Sequence, residues 1–310
     1  MTGRAAAWAQ LLRISAVSTV PGDAVVGAVA GGSGPGRGTA LAAGASLCLY
    51  EAGMALNDWA DQEEDARERP QRPLPSGRIR PGAALAAATG LTAAGLASAA
   101  RAGRLPLLTA TALATTVWAY DLRLKHTAAG PAAMAAARSL DVLLGAAATE
   151  RPSAPGTDGT PAPPPRPGPV PVLGAAALMG AHTLAVTSVS RREAEGGAPA
   201  VPLAALGAVA ATTAVLARQR APLTLAASAA YAATAARPLA HAALNPSPPL
   251  LQRAVGAGIR AMIPLQAALT ARACRPSTPP RVRTGASLSA AALLGLLPVA
   301  RRLSRKVSPT

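Results

Sequence analysis

Apolar positions in this chain come in long unbroken runs, not in the spaced stripes that a water-soluble helix presents to its core. GTALAAGASLCLYEAGMAL, GAALAAATGLTAAGLASAA, LPLLTATALATTVWAY, PAAMAAARSLDVLLGAAAT and PVLGAAALMGAHTLAVTSVS carry almost no charge. Each approaches the about 20 residues that a helix needs to cross a bilayer. Further runs lie at 14–32, 199–217, 221–243, 251–271 and 285–300. The pattern predicts an all-α, polytopic membrane helical bundle of nine or ten spans, forming a single transmembrane domain over residues 1–310. Proline-rich stretches mark the connections: RPQRPLPSGRIRPG after the second span and ERPSAPGTDGTPAPPPRPGPVP between the fifth and sixth.

Composition sharpens this reading. Half the residues are apolar, 14% are charged, only 2% are aromatic, and there is no phenylalanine. Mean hydropathy is +0.28, low for a polytopic protein because alanine is weakly apolar. Alanine and glycine do suit helices whose backbones approach closely within a membrane. A soluble alanine-rich bundle is the alternative, and it lacks the polar stripes it would require. Arg13, Pro21 and Asp23 interrupt the first run, which fits a membrane span better than a cleavable signal. Cys48 and Cys274 supply neither a disulfide framework nor metal-ligand spacing and read as packing residues.

The net charge of +16 also has a pattern. With the N-terminus inside, Arg67, Arg69, Arg72, Arg78, Arg80, Arg123, Lys125, Arg191 and Arg192 fall in loops on one side. Arg101, Arg104, Arg218 and Arg220 fall on the other, so the bias is moderate. It places an integral protein in the cell membrane with the more basic loops cytoplasmic. Such residues suit contact with anionic membrane lipid. No basic face with interleaved aromatics exists, which argues against nucleic acid as a partner.

Against this basic background the acids concentrate in NDWADQEED, residues 57–65. Asn57, Asp58, Asp61 and Asp65 recur at helical offsets and share a face. Carboxylates clustered at the end of an apolar bundle need positive charge, and Mg2+, held by a few carboxylates plus phosphate oxygens, is the natural candidate. The plain alternative is a solvated helix with Glu63–Arg67 and Asp65–Arg69 pairs. The continuation RPQRPLPSG, residues 69–77, forms a stiff turn that returns Arg69 and Arg72 toward the acids, and guanidinium forks match phosphate oxygens.

These two segments, in this order after the second span, resemble the first aspartate-rich signature of the UbiA superfamily of intramembrane prenyltransferases. YDLRLK, residues 120–125, resembles the family's Tyr-x-x-x-Leu-Lys element. The resemblance implies that Tyr120 and Lys125, with Arg123, help hold a donor diphosphate; interfacial anchoring is the alternative for Lys125 and an aromatic belt for Tyr120. ARSLDVLLG, residues 137–145, resembles the family's fifth helix. Arg138 there either meets the diphosphate or pairs with Asp141, three residues on.

The chain departs from the family where a second aspartate-rich motif would follow the sixth span. TSVSRREAEGG stands there, with Glu193 as first and Glu195 as second stand-in for a metal-facing acid, and Ser190 and Arg191 placed to touch phosphate. This departure resembles the EboC-like branch of the superfamily. His182 reads as a packed residue.

The resemblance implies transfer of an isoprenyl group from an isoprenyl diphosphate to an unidentified acceptor. Asp58, Asp61, Asp65, Tyr120 and Lys125 would carry the chemistry, with Mg2+ on Asn57, Asp58, Asp61, Asp65 and Glu193. Asn57, Arg69, Arg72, Arg123, Lys125 and Arg138 would bind the diphosphate. Trp118, Tyr120 and Tyr50 are the few aromatic faces able to steady an allylic cation. A non-catalytic membrane binder or carrier of a polyprenyl or other phosphorylated lipid is the alternative. CDP-alcohol phosphotransferases also use spaced acids, but their Gly and Arg spacing is missing.

Overall fold

The computed structural model describes residues 3–149, 169–194, 196–273 and 280–307, and among them every regular element is helical. In chain order these are α1 (Gly3–Leu11), a 3-10 helix (Ile14–Thr19), α2 (Pro21–Ala30), α3 (Arg37–Ala60), α4 (Gln62–Glu68), α5 (Pro81–Ala102) and α6 (Arg104–Ala119). A π-helical turn (Tyr120–Leu124) follows, then α7 (Gly130–Ala147), α8 (Val170–Ser190), α9 (Ala200–Ala217), α10 (Pro222–Leu244), α11 (Pro248–Arg272) and α12 (Pro280–Val307). The Pro-rich 150–168 stretch, Cys274 and Glu195 lie outside the described residues.

Proline accounts for many of these starts. It opens α2, α5, α10 and α11 as their first residue, where its missing N–H costs nothing and its fixed φ suits the helix. Glycine accounts for sharp stops. Gly103, with φ 133°, divides the apolar sequence into α5 and α6, a backbone conformation closed to side-chain-bearing residues.

The expected first span takes a broken form. The run at 14–32 breaks at Pro21 into a 3-10 helix and a ten-residue α2, which rises only about 15 Å and cannot cross a bilayer alone. Five of the described helices are long and apolar enough to cross: α3, α5, α8, α9 and α11.

The helices form a ring. α2 packs on α3, α3 on α5, α5 on α6, α6 on α7 and α7 on α8, and the series continues through α9 and α10 to α11, which returns to α2. α12 lies outside α11. α11 is the most enclosed, with 83% of its apolar window buried, whereas α5, at 22%, faces outward. One hydrophobic core joins α7 through α12; a second fills the space among α2, α3, α5, α6 and α7. A third, with Leu11, Leu56, Leu74, Ile79 and Ala84, pins α1 and the 69–80 turn to the end of α3.

The α2–α7 contact crosses the ring and depends on absent side chains. A methyl group added to Gly27 would land on the carbonyl oxygen of Val142, and one on Gly145 would land on the backbone of Ala24. Backbone-to-backbone approach of this kind gains dispersion where lipid offers no hydrophobic driving force. Gly27→Val and Gly145→Val are each expected to destabilise the bundle by about 3 kcal/mol or more. Thermal unfolding of the detergent-solubilised protein checks this, with the outward-facing Gly90→Val, which meets nothing within 4 Å, as the neutral comparison.

Candidate active site

The acids of 57–65 sit where α3 passes into α4. α3 ends at Ala60, but the N–H of Asp61 still bonds the carbonyl of Asn57 (3.0 Å) and that of Asp65 bonds the carbonyl of Asp61 (2.8 Å). Helical rotation therefore continues through the joint and keeps the acids on a common side. Asp58 and Asp65 are 4% and 3% exposed, an expensive burial for carboxylates without counter-charge.

The counter-charge comes from the turn that follows. α4 stops before Pro70, and the chain reverses through hydrogen bonds from Ser76 N to Arg72 O (3.0 Å), Gly77 N to Leu74 O (2.9 Å) and Ile79 N to Pro73 O (3.0 Å). Gly77 takes φ 70° at the tip. Buried Leu74 and Ile79 anchor the turn, so Arg72 is held against both acids: Nη1 lies 2.6 Å from Asp65 and 3.6 Å from Asp58. Arg69 stands 3.8 Å from Asp65. Of the plain helical pairs, Arg67 bonds the backbone carbonyl of Glu63, not its carboxylate.

A second element meets the acids from across the ring. Tyr120 and Lys125 are five residues apart, which on an α-helix would separate them by roughly 140°. The π turn closes an i to i+5 bond, Lys125 N to Tyr120 O at 3.0 Å, and narrows that separation. Lys125 ion-pairs with Asp61, and His126 Nε2 lies 3.8 Å from the same oxygen. Asn57 donates to Asp121 at 3.3 Å. Burial pushes the Asp121 carboxyl up to about 7, against the pull of the Asn57 hydrogen bond and the Lys125 charge. Tyr120 is half-buried, within electrostatic reach of Asp121, Asp61, Arg13 and Arg191.

Glu193, in the turn after α8, is half-buried, and burial raises its carboxyl while Arg69 pulls it down. It therefore shares the Arg69 field with Asp65. Ser190 caps its own helix by donating to Thr187 O (2.9 Å).

Other expected residues point elsewhere. Arg123 is exposed and lines a groove of about 530 Å³ between α5 and α6, with Thr92, Leu96, Thr115 and Trp118. The turn that brings Tyr120 nearer Lys125 carries Arg123 to the outer side. Trp118 donates to Thr92 at 3.1 Å in that groove, so its indole is turned from the acids. Arg138 pairs with Asp23 at 2.7 Å, and Asp141 accepts from Ser46 at 2.7 Å, so the simple Arg138–Asp141 pair is replaced by a network across four helices. His182 is a satisfied core residue between Tyr231 and Gly258 O, each at 3.0 Å.

Three site residues escaped the sequence reading. Arg13 adopts φ 48°, a left-handed conformation that costs a non-glycine residue about 1–3 kcal/mol and that marks functional positions. From there its guanidinium reaches Asp58 at 3.4 Å. Asp121 sat unremarked inside YDLRLK. His126 joins Asp61 and Glu64 in a group whose ligand atoms all lie within 4.8 Å of one another.

The donor set is rich in carboxylate and amide oxygen, the chemistry Mg2+ prefers. Asn57, Asp58, Asp61 and Asp65 are candidates to hold it, with guanidinium and ammonium groups beside them for a phosphate, although among the described acids and histidines it is Asp61, Glu64 and His126 whose ligand atoms gather within 4.8 Å.

Comparison with known proteins agrees with this architecture. The model of the UbiA prenyltransferase family matches residues 16–262. The chain is 37% identical over 103 residues to a digeranylgeranylglyceryl phosphate synthase from Methanopyrus kandleri, a match covering 33% of this chain and 38% of that relative. Over 51 residues it is 51% identical to a protein of the same name from Methanothrix thermoacetophila, covering 16% and 19%. The matched stretches thus span well under half the length of these curated relatives. Among solved structures, the fold is similar to a UbiA homolog from Aeropyrum pernix K1 (TM-score 0.59, 20% identity, 83% of this chain and 97% of that one). It is also similar to a UbiA homolog from Archaeoglobus fulgidus bound to GPP and Mg2+ (TM-score 0.54, 14% identity, 95% and 99%). At such identities the structures speak for the fold alone. The family match covers most of the chain, and this protein belongs to the UbiA prenyltransferase family.

Proposed function

We propose that this protein is a membrane prenyltransferase that moves an isoprenyl group from an isoprenyl diphosphate to an acceptor, with Mg2+-assisted loss of diphosphate. The observation that carries the reading is the convergence of two sequence elements at one end of the bundle. Asp58 and Asp65 meet Arg72, and Asp61 meets Lys125 from the π turn.

Bound at Asn57, Asp58, Asp61 and Asp65, Mg2+ would neutralise charge on the leaving diphosphate. The remaining work falls to side chains. Arg72 touches both acids through Nη1, and a guanidinium has further N–H donors to offer a phosphate oxygen. Lys125 adds a charge held in place by Asp61, and Arg69 stands between Asp65 and Glu193. Such preplaced donors favour breaking the donor's C1–O bond, its electron pair leaving on the diphosphate. Tyr120 faces this end and is the aromatic group best placed to steady the allylic cation. The surrounding apolar helices exclude water, so that an acceptor, not hydroxide, captures the cation.

The active-site loops are assigned to the cytoplasmic side, on the moderate arginine bias. In cells, Ser76→Cys at the tip of the 69–80 turn should resist a membrane-impermeant maleimide until permeabilisation; labelling of intact cells would reverse the orientation.

Asp61→Ala and Lys125→Ala should each lower Mg2+-dependent diphosphate release from radiolabelled geranylgeranyl or farnesyl diphosphate by about 100-fold or more. Undiminished release in both variants would remove the site assignment. Donor binding by the unaltered protein without any release, on cell membranes that also supply the acceptor, would identify a carrier.

A further inference from the structure

Below the acids, the interior of the bundle carries a second polar layer that the diphosphate chemistry does not use. Arg138 Nη1 pairs with Asp23 Oδ2 at 2.7 Å, Gln266 Nε2 donates to Asp23 Oδ1 at 2.8 Å and to Thr19 O at 2.7 Å, and Ser46 donates to Asp141 Oδ2 at 2.7 Å. Asp23 and Asp141 lie close enough to influence one another. Tyr50 links this layer upward, being within electrostatic reach of Arg138, Arg13 and Glu51. Glu51 precedes Asp58 by seven residues, two helical turns, so it lies on nearly the same face of α3 about 10 Å deeper.

Among the described residues, the unused hydrogen-bonding capacity of this layer lies mainly in acceptors. Gln266 Oε1 is buried without a partner, and Asp141 Oδ1 accepts from no N–H or hydroxyl, its carboxyl lying beside that of Asp23; the two residues are 0% and 5% exposed. Glu51 Oε2 is buried without a partner as well. All three are acceptor oxygens of carboxylates or an amide; Ser18 Oγ, also buried and unpartnered, can donate or accept. The charge balance has the same sense. Asp23 and Asp141 both lie in the field of Arg138, whose ion pair is committed to Asp23.

Buried acceptors are satisfied by an incoming donor, and a buried anion requires an unspent positive charge. We infer that the prenyl acceptor presents an uncharged, hydroxyl-bearing group to this layer, as an alcohol or polyol headgroup, and not a phosphate or carboxylate. The inference rests on the transferase reading and assigns its acceptor class. In the transfer, a lone pair of the acceptor hydroxyl forms the new C–O bond to the prenyl carbon. The donor's C1–O electron pair leaves on the diphosphate, and the hydroxyl proton passes to the Glu51 carboxylate. The product is a neutral prenyl ether. Such an acceptor sets this protein apart from relatives named digeranylgeranylglyceryl phosphate synthase.

A matched pair of lipids tests this: monooleoylglycerol and its phosphate monoester, which share chain and glycerol and differ in the phosphate. Each is titrated against the full-length protein in phosphatidylcholine nanodiscs, with the thermal midpoint as the binding readout. The neutral lipid should bind at least tenfold more tightly, and with prenyl diphosphate and Mg2+ it should be the one converted to an ether. Asp23→Asn, which releases Arg138, should narrow the gap between the two lipids. Equal affinities, tighter binding of the phosphate ester, or a gap untouched in a folded Asp23→Asn variant would overturn the inference. Mg2+-dependent diphosphate release from the donor on cell membranes that carry the native acceptor, followed in parallel, reports separately on the transferase reading.

Discussion

Everything at the functional end of this protein depends on one constraint: carboxylates gathered at the edge of an apolar bundle must be matched by positive charge. Asp58 and Asp65 are almost fully buried, and Coulomb repulsion between them in a medium of low dielectric would be severe. The chain answers by folding distant cations back onto them. Arg72 arrives by a reversed turn, Lys125 by a helix from across the ring, and Arg13 from the N-terminal segment. A surface ion pair contributes little, but these pairs are shielded, and each carboxylate would carry a large desolvation cost without its partner. The same balance suits a site where a metal and a diphosphate, of opposite charge, must enter together.

The second constraint is closeness of backbones. Polar residues can meet inside the ring only if α2 approaches α7, and Gly27 and Gly145 permit that approach. Gly22 plays a related part, because the amide of Gln266 occupies the space its side chain would take. The Asp23–Arg138–Gln266 network is thus a product of small residues as much as of charged ones. Alanine richness, which lowers mean hydropathy, is what allows the bundle to be this tight.

Much of this was legible in the chain. Uncharged runs bounded by proline located the helices, since a run of that length without polar stripes has no soluble solution. The joining of the 57–65 acids to the 69–77 arginines was legible too, because both lie within one local reversal. What escaped depends on distance or on backbone geometry. Asp23 and Arg138 are 115 residues apart, so no local spacing announces their pair. Arg13 looked like an interruption of a span, and its left-handed backbone has no signature in a non-glycine residue. Arg123 is a candidate through the YDLRLK element and Trp118 through the scarcity of aromatics, whereas helical rotation turns both into the outer groove.

The wide turn at Tyr120–Leu124 makes this segment a ruler. It holds one residue more than an ordinary helical turn does. Excising that residue would leave Tyr120 and the lysine four apart on an α-helix, about 40° around the axis, so the amine would keep roughly its azimuth toward Asp61. One added residue, placing them six apart, would instead turn the amine through about 120° and strand Asp61 without compensation.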